Sequence, residues 1–125
     1  RAREVARESL TSGSKSTSRD DVLTDTLLGE LEITHLTASA VLEHTTAAIQ
    51  ATEDTTEALA LAISMKEAVT KSAVEVVDHA VAIVGGRAFH RRSILERLAR
   101  DVRAARHHPP AAPVAQQMVG MAQNL

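Results

Sequence analysis

Apolar side chains recur every three or four positions along two long stretches of this chain, the spacing that gathers them on one face of an α-helix. Leu23, Leu27, Leu31, Thr34, Ala38, Val41, Thr45 and Ala48 form the first stripe. Asp20 and Asp21 put negative charge where a helix exposes unpaired N–H groups, so this helix is expected to run from there to about Ala51. Asp54-Thr-Thr-Glu57 has the spacing of a capping box and opens a second helix. Its buried stripe is expected to hold Leu61, Met65, Ala68, Ser72, Val76, Ala80 and Ile83. Gly85-Gly86 ends it, because glycine takes up the left-handed conformation that satisfies the last carbonyls.

Two helices of about thirty residues would each be about 45 Å long, and a connection of a few residues folds them into an antiparallel hairpin. Ser93-Ile-Leu-Glu96 is a further capping-box pattern, and its helix must stop before His107-His-Pro-Pro110 because prolines cannot continue it. A last short helix is expected from Pro113 to Gln123, inside a C-terminal tail spanning 111–125. Ala2 to Leu10 has helix-forming composition but is too short to stand alone, which predicts the end of a longer first helix and a piece of a longer polypeptide. The small polar run Thr11–Arg19 is expected as a flexible loop. The sum is one all-α domain over residues 1–125, an up-and-down four-helix bundle.

Composition narrows the chemistry. Phe89 is the single aromatic residue, so the core must be aliphatic. Without cysteine there is neither a disulfide framework nor a thiolate metal site, and a reducing compartment, the cytoplasm, is expected. No apolar run approaches the roughly 20 residues of a membrane span, so no membrane is expected as a partner. Glu32-Ile-Thr-His35 has the Glu-x-x-His spacing of di-iron sites in helical bundles, but such a site needs two copies. Glu75 and His79 are four apart instead of three, so no metal is expected.

The formal net charge of −2 hides a segregation of charge along the chain. Asp20 to Glu57 carries nine acids and no Lys or Arg, whereas Arg87 to Arg106 carries seven arginines against Glu96 and Asp101. The two segments are expected to face each other, within the bundle or across a subunit contact, or else the arginines form an anion site. Glu96 with Arg100 and Arg97 with Asp101 have ion-pair spacing on one helix, and Phe89 is the lone candidate for base stacking. Nucleic acid is therefore not an expected partner.

Val77-Asp-His-Ala-Val-Ala-Ile-Val-Gly-Gly-Arg-Ala-Phe89 and Leu95-Glu-Arg-Leu-Ala-Arg-Asp-Val-Arg103 together resemble the C-terminal helical domain of the acyl-CoA dehydrogenases. The family pattern is similar to Gln-Leu-His-Gly-Gly-x-Gly-Tyr followed by Glu-Arg-x-x-Arg-Asp-x-Arg. Gly85, Gly86, Phe89, Glu96, Arg97, Arg100, Asp101 and Arg103 match it. Ala82 stands at the flavin-contacting glutamine, Val84 at the histidine, Arg87 at an aromatic and Ala88 at the third glycine. The resemblance implies a parent enzyme that uses FAD to oxidise the Cα–Cβ bond of an acyl-CoA, in homo- or hetero-oligomers with other dehydrogenase subunits. It implies that the backbone of Ile83, Gly85 and Gly86 meets the flavin, and that this piece alone is inactive.

The resemblance leaves the catalytic base open. Ungapped counting brings the family's base glutamate to Pro109, which cannot take a proton; His107 and His108 flank it, and Glu4 and Glu8 lie on the first helix where other members place the base. The first-helix motif, similar to Arg-x-Gln-Phe-Gly, is represented by Arg7-Glu-Ser-Leu-Thr11, with Lys15 and Arg19 as possible substitutes for its flavin contacts. An alternative expectation is a catalytically silent helical oligomerisation domain of the same fold.

Overall fold

The computed structural model describes residues 1–11 and 18–124, and of residues 18–21 the backbone alone. It is all-α among the described residues: α1 (Ala2–Thr11), α2 (Ser18–Ala51), α3 (Thr55–Val84), α4 (Ile94–Ala104) and α5 (Ala112–Ala122), with short 3₁₀ turns at Gly85–Phe89 and Ala105–His107. The loop expected over Thr11–Arg19 falls largely on residues 12–17, outside the described residues; its ends belong to α1 and α2. No helix among the described residues is long and apolar enough to cross a membrane.

α2 and α3 form the expected hairpin across Thr52–Asp54, with Glu30 beside His79 near one end and Thr46 touching Met65 towards the other. Asp54 caps α3, its carboxylate accepting from the N–H groups of Thr56 at 2.8 Å and Glu57 at 3.2 Å. The return half of the capping box runs through a relay: the Thr52 hydroxyl accepts from the Asp54 N–H and donates to the Glu57 carboxylate. Asp54→Ala should remove both cap bonds and cost about 1 kcal/mol. Urea unfolding checks this, and a loss below about 0.3 kcal/mol would count against the cap.

α3 is the hub, in contact with α2, α1, α4 and α5. That position explains where the one-stripe reading of the sequence fell short. Val76 and Ala80 are buried as expected, but Ile63, Val74 and Val77 are buried too, because α3 is covered from several sides. The main core gathers near the C-terminal end of α3, from Ala2 and Ala6 of α1, Leu31 of α2, Val76, Val77 and Ala80 of α3, Ala88 and Leu95. Fully buried Ala6 and Ala80 let α1 lie close on α3.

Two expected core positions are exposed. In the register set by the Glu30–His79 and Thr46–Met65 contacts, Leu23 falls level with Arg87, beyond the end of α3, and nothing covers it. Ala68 borders a cleft of about 410 Å³ between α3, Arg106 and α5, because α5 reaches the bundle through buried Ala115 and leaves that side open.

Candidate functional site

The turn from α3 into α4 is built by its glycines. The Gly85 N–H donates to the Val81 carbonyl and closes the helix, with Gly85 at φ 69°, ψ −149°, a region that glycine alone occupies readily. Gly86 follows without a positive φ, and a Cβ built on either glycine meets nothing within 4 Å. The backbone of the turn is therefore open on its outer side. Ala88 pins the turn from within, buried in the core beside Leu95, where a third glycine would leave that packing unfilled. Phe89, 72% exposed, points its ring away from the chain's own core.

α4 then starts on a bond from the Leu95 N–H to the Ser93 hydroxyl at 3.2 Å. Glu96 does not complete the expected capping box; its carboxylate instead takes the Arg100 guanidinium at 3.2 Å, a turn further on. Arg103 reaches Asp78 on α3 and fastens the two helices. The expected Arg97–Asp101 pair does not form, and Arg91, Arg92 and Arg97 make no ion pair among the described residues. Across the turn, Arg87 donates to the Ser9 hydroxyl at 2.9 Å and ties it to the end of α1. Ser9 was not singled out from the sequence, where nothing marks a serine 78 residues away as a partner.

Among the described residues, the acidic and basic segments form no ion pair with each other. α2 is neutralised from α1, where Arg3 and Arg7 converge on Glu32 at 3.2 and 2.8 Å, and none of the arginines from Arg87 to Arg106 pairs with α2 among the described residues. The Arg7 contact brings Nη2 close to Oε1 without the alignment of a hydrogen bond. Glu32 is thereby committed to arginine, and among the described residues no group of three His, Cys, Asp or Glu is arranged around a common point. His35 lies instead on a groove of about 460 Å³, walled by apolar residues such as Ala38, Leu42, Val69 and Leu98.

His107, His108 and Pro109 are exposed at the other end of α4. Lys66, in the middle of α3, donates to the carbonyls of His108 at 2.9 Å and Pro110 at 2.6 Å and holds this loop down. The sequence hint to Lys66 was faint: with Glu67 it is the lone charged pair between Ala58 and Thr70. Lys66 and Gly85 are nineteen positions apart along α3 and its C-cap, about 28 Å at 1.5 Å per residue. The structure thus separates the histidine loop from the glycine turn. On α1, Glu4 pairs with Arg1 at 3.0 Å, and that guanidinium holds its carboxyl below the usual carboxylate range, opposite to what a proton-abstracting base needs. Glu8 is exposed, its carbonyl accepting from the Thr11 hydroxyl.

A family described as the acyl-CoA dehydrogenase C-terminal domain matches residues 1–113. The match takes in α1, the glycine turn, the arginine helix and the histidine loop. Over 45 residues the chain is 49% identical to a candidate acyl-CoA dehydrogenase, YdbM, of Bacillus subtilis (strain 168). That stretch is 36% of this chain and 12% of the relative, so the similarity spans a small part of that protein's length.

Proposed function

The chain belongs to the acyl-CoA dehydrogenase C-terminal domain family, and from that premise we propose that it is the C-terminal helical part of a FAD-dependent oxidoreductase acting on the CH–CH group of an acyl thioester. It contributes subunit association and part of the flavin site, and works in the cytoplasm. FAD, when bound, accepts a hydride from the substrate; this chain positions and encloses.

The glycine turn carries the reading. Its residues fit a flavin nucleotide in two respects: the backbone at Ile83, Gly85 and Gly86 is approachable because no side chain projects from the glycines, and Arg91, Arg92 and Arg97, without an ion pair among the described residues, follow nearby in the sequence to offset a pyrophosphate. The outward-facing Phe89 adds an apolar surface for a neighbouring subunit. Arg7 matches the family's first-helix arginine but is drawn onto Glu32, so the neighbouring flavin receives less from α1 than from the turn. The piece alone is inactive, since its described residues supply neither a placed base nor an enclosed substrate pocket.

The second reading, a catalytically silent oligomerisation domain, is favoured by Pro109 at the counted base position and by the distance between the histidine loop and the glycine turn. Gly86→Leu separates the two. Gly86 is exposed and a Cβ there meets nothing within 4 Å of its own chain, so thermal unfolding of flavin-free protein should stay within about 0.5 kcal/mol of wild type. In the complete protein, flavin titration should show retention weakened at least about 10-fold, or about 1.4 kcal/mol. Unchanged flavin affinity would reject the turn as a flavin contact, and a colourless complete protein that still oligomerises would establish the silent reading.

A further inference from the structure

Lys66 does more than hold the histidine loop. By fastening the carbonyls of His108 and Pro110 to the middle of α3, it sets the turn after α4 and the start of α5 over the next stretch of that helix. Between them lies the cleft of about 410 Å³ that Ala68 borders. Four side chains lining it can donate hydrogen bonds: Thr70 and Lys71 of α3, Arg106 of the turn and Gln116 of α5. None of the four makes a hydrogen bond or ion pair among the described residues. Thr26 and Thr37 turn their hydroxyls back to the carbonyl one turn earlier, both at 2.9 Å, whereas half-buried Thr70 makes no such bond. The cleft's one acid is Glu67, and Lys66 holds its carboxylate at 3.1 Å. Glu75, the next acid along α3, forms no ion pair with Lys71. The donors are thus uncommitted while the acid is taken, and Lys71 and Arg106 bring two positive charges without an ion-pair partner to one concavity.

We propose that this cleft binds phosphate, free or as the monoester group of a small molecule, between Lys71 and Arg106. The charge balance selects the ligand. A phosphate monoester carries a charge of about −1.5 to −2 near neutral pH, which two cations match. Arg106 offers a planar fork of N–H groups and Lys71 a compact point charge, while the Thr70 hydroxyl and the Gln116 amide are neutral donors for the remaining oxygens. A carboxylate, with one charge and two oxygens, would leave a cation and a donor unused. Ala68 and Ala112 add small apolar lining, and the volume of about 410 Å³ falls within the roughly 300–1,000 Å³ of small-molecule sites. Lys71 stands on α3 and Gln116 on α5, so a ligand that takes both holds α5 on the bundle. That helix buries Ala115 alone and gains a second fastening beside Lys66. The cleft lies away from the glycine turn, since Lys71 and Gly85 are fourteen positions apart along α3 and its C-cap, about 21 Å at 1.5 Å per residue. The proposal goes beyond the flavin and association reading and rests on neither.

Inorganic phosphate titrated into the chain at constant ionic strength should shift the amide NMR signals of Thr70, Lys71, Arg106 and Gln116 to saturation. Ribose 5-phosphate distinguishes the two sources: binding at least about 10-fold tighter than inorganic phosphate identifies a phosphorylated small molecule as the occupant, and equal affinity identifies the free ion. Lys71→Gln combined with Arg106→Gln should weaken binding at least about 10-fold, with circular dichroism unchanged because both side chains are exposed. Thr70→Val removes a hydroxyl and no charge, and should weaken binding about 3-fold or more. A general attraction of anions to a basic surface would not respond to that variant. Amide exchange in α5 should slow at saturating ligand, and unchanged exchange would overturn the bridging of α3 to α5. The phosphate site itself is overturned if the four amides do not shift, if acetate at the same ionic strength shifts them equally, or if either the double variant or Thr70→Val binds as tightly as wild type. None of these results bears on the flavin titration of Gly86→Leu, so failure here and failure of the flavin reading are told apart.

Discussion

Replacing Leu95 with alanine should lower stability by about 3 kcal/mol, within the 2–5 kcal/mol range for emptying a fully buried leucine. Leu95 and Leu31 are the two largest fully buried side chains, and Leu95 sits in the first turn of α4, directly after the glycine turn. Its core neighbours include Ala80, Ala88 and Ala6, whose single methyl groups cannot lean in to fill the space, so the cavity term should be close to full. Against a total of roughly 5–15 kcal/mol for an ordinary domain, that is a large share. Urea unfolding should show a lower midpoint with an unchanged slope. Amide exchange should be fastest between Gly85 and Ile94, because Leu95 and Ala88 together hold that turn on the bundle. A loss below about 1 kcal/mol would mean that α4 is not seated on α3 as described.

Gly85→Ala should cost about 1–3 kcal/mol, although the new methyl group meets nothing. The penalty lies in the backbone: at φ 69°, ψ −149° a Cβ is strained against its own residue's peptide groups. Gly86→Ala, one position on and free of a positive φ, should change stability by less than about 0.5 kcal/mol. The contrast between neighbours is the informative measurement. Equal effects would show that the end of α3 is not held in this conformation, and the approach of a flavin to an open backbone at Gly85 would lose its basis.

Much of this architecture was readable in the chain. The three-to-four spacing from Leu23 to Ile83 announced the two long helices, Asp54 and Ser93 marked starts that their side chains do cap, and Gly85 marked a stop that its backbone makes. These are local signals, each decided by atoms within about one turn, so tertiary context had little to overturn. The expectation of a four-helix bundle holds for α1 to α4, with α5 added against α3, and α2 takes in Ser18 and Arg19 ahead of Asp20. The family pattern around Gly85 and Arg103 was legible for a similar reason, being a run of residue types in fixed order.

Long-range partnerships were not. Arg97 and Asp101 had ideal spacing yet remain apart, while Arg103 found Asp78 on another helix and Arg7 found Glu32. Flexible charged side chains at a surface choose among several partners of nearly equal free energy, and spacing cannot rank them. The segregation of acids and arginines was visible, but that they do not pair among the described residues depends on α3 lying between α2 and α4.

By itself the sequence determined that this protein is helical, where its helices start and stop, and that a glycine turn joins an aliphatic helix to an arginine-rich one. Periodicity, caps and glycine conformation act within a few residues, and the chain carries them wherever it goes. Only the tertiary structure decided which faces are covered: that α3 packs against four other helices, that Leu23 overhangs its end, that Lys66 holds the histidine loop far from the glycines, and that the outer face of α2 is exposed. Burial is a property of what lies opposite, and what lies opposite a residue is fixed by where other helices end.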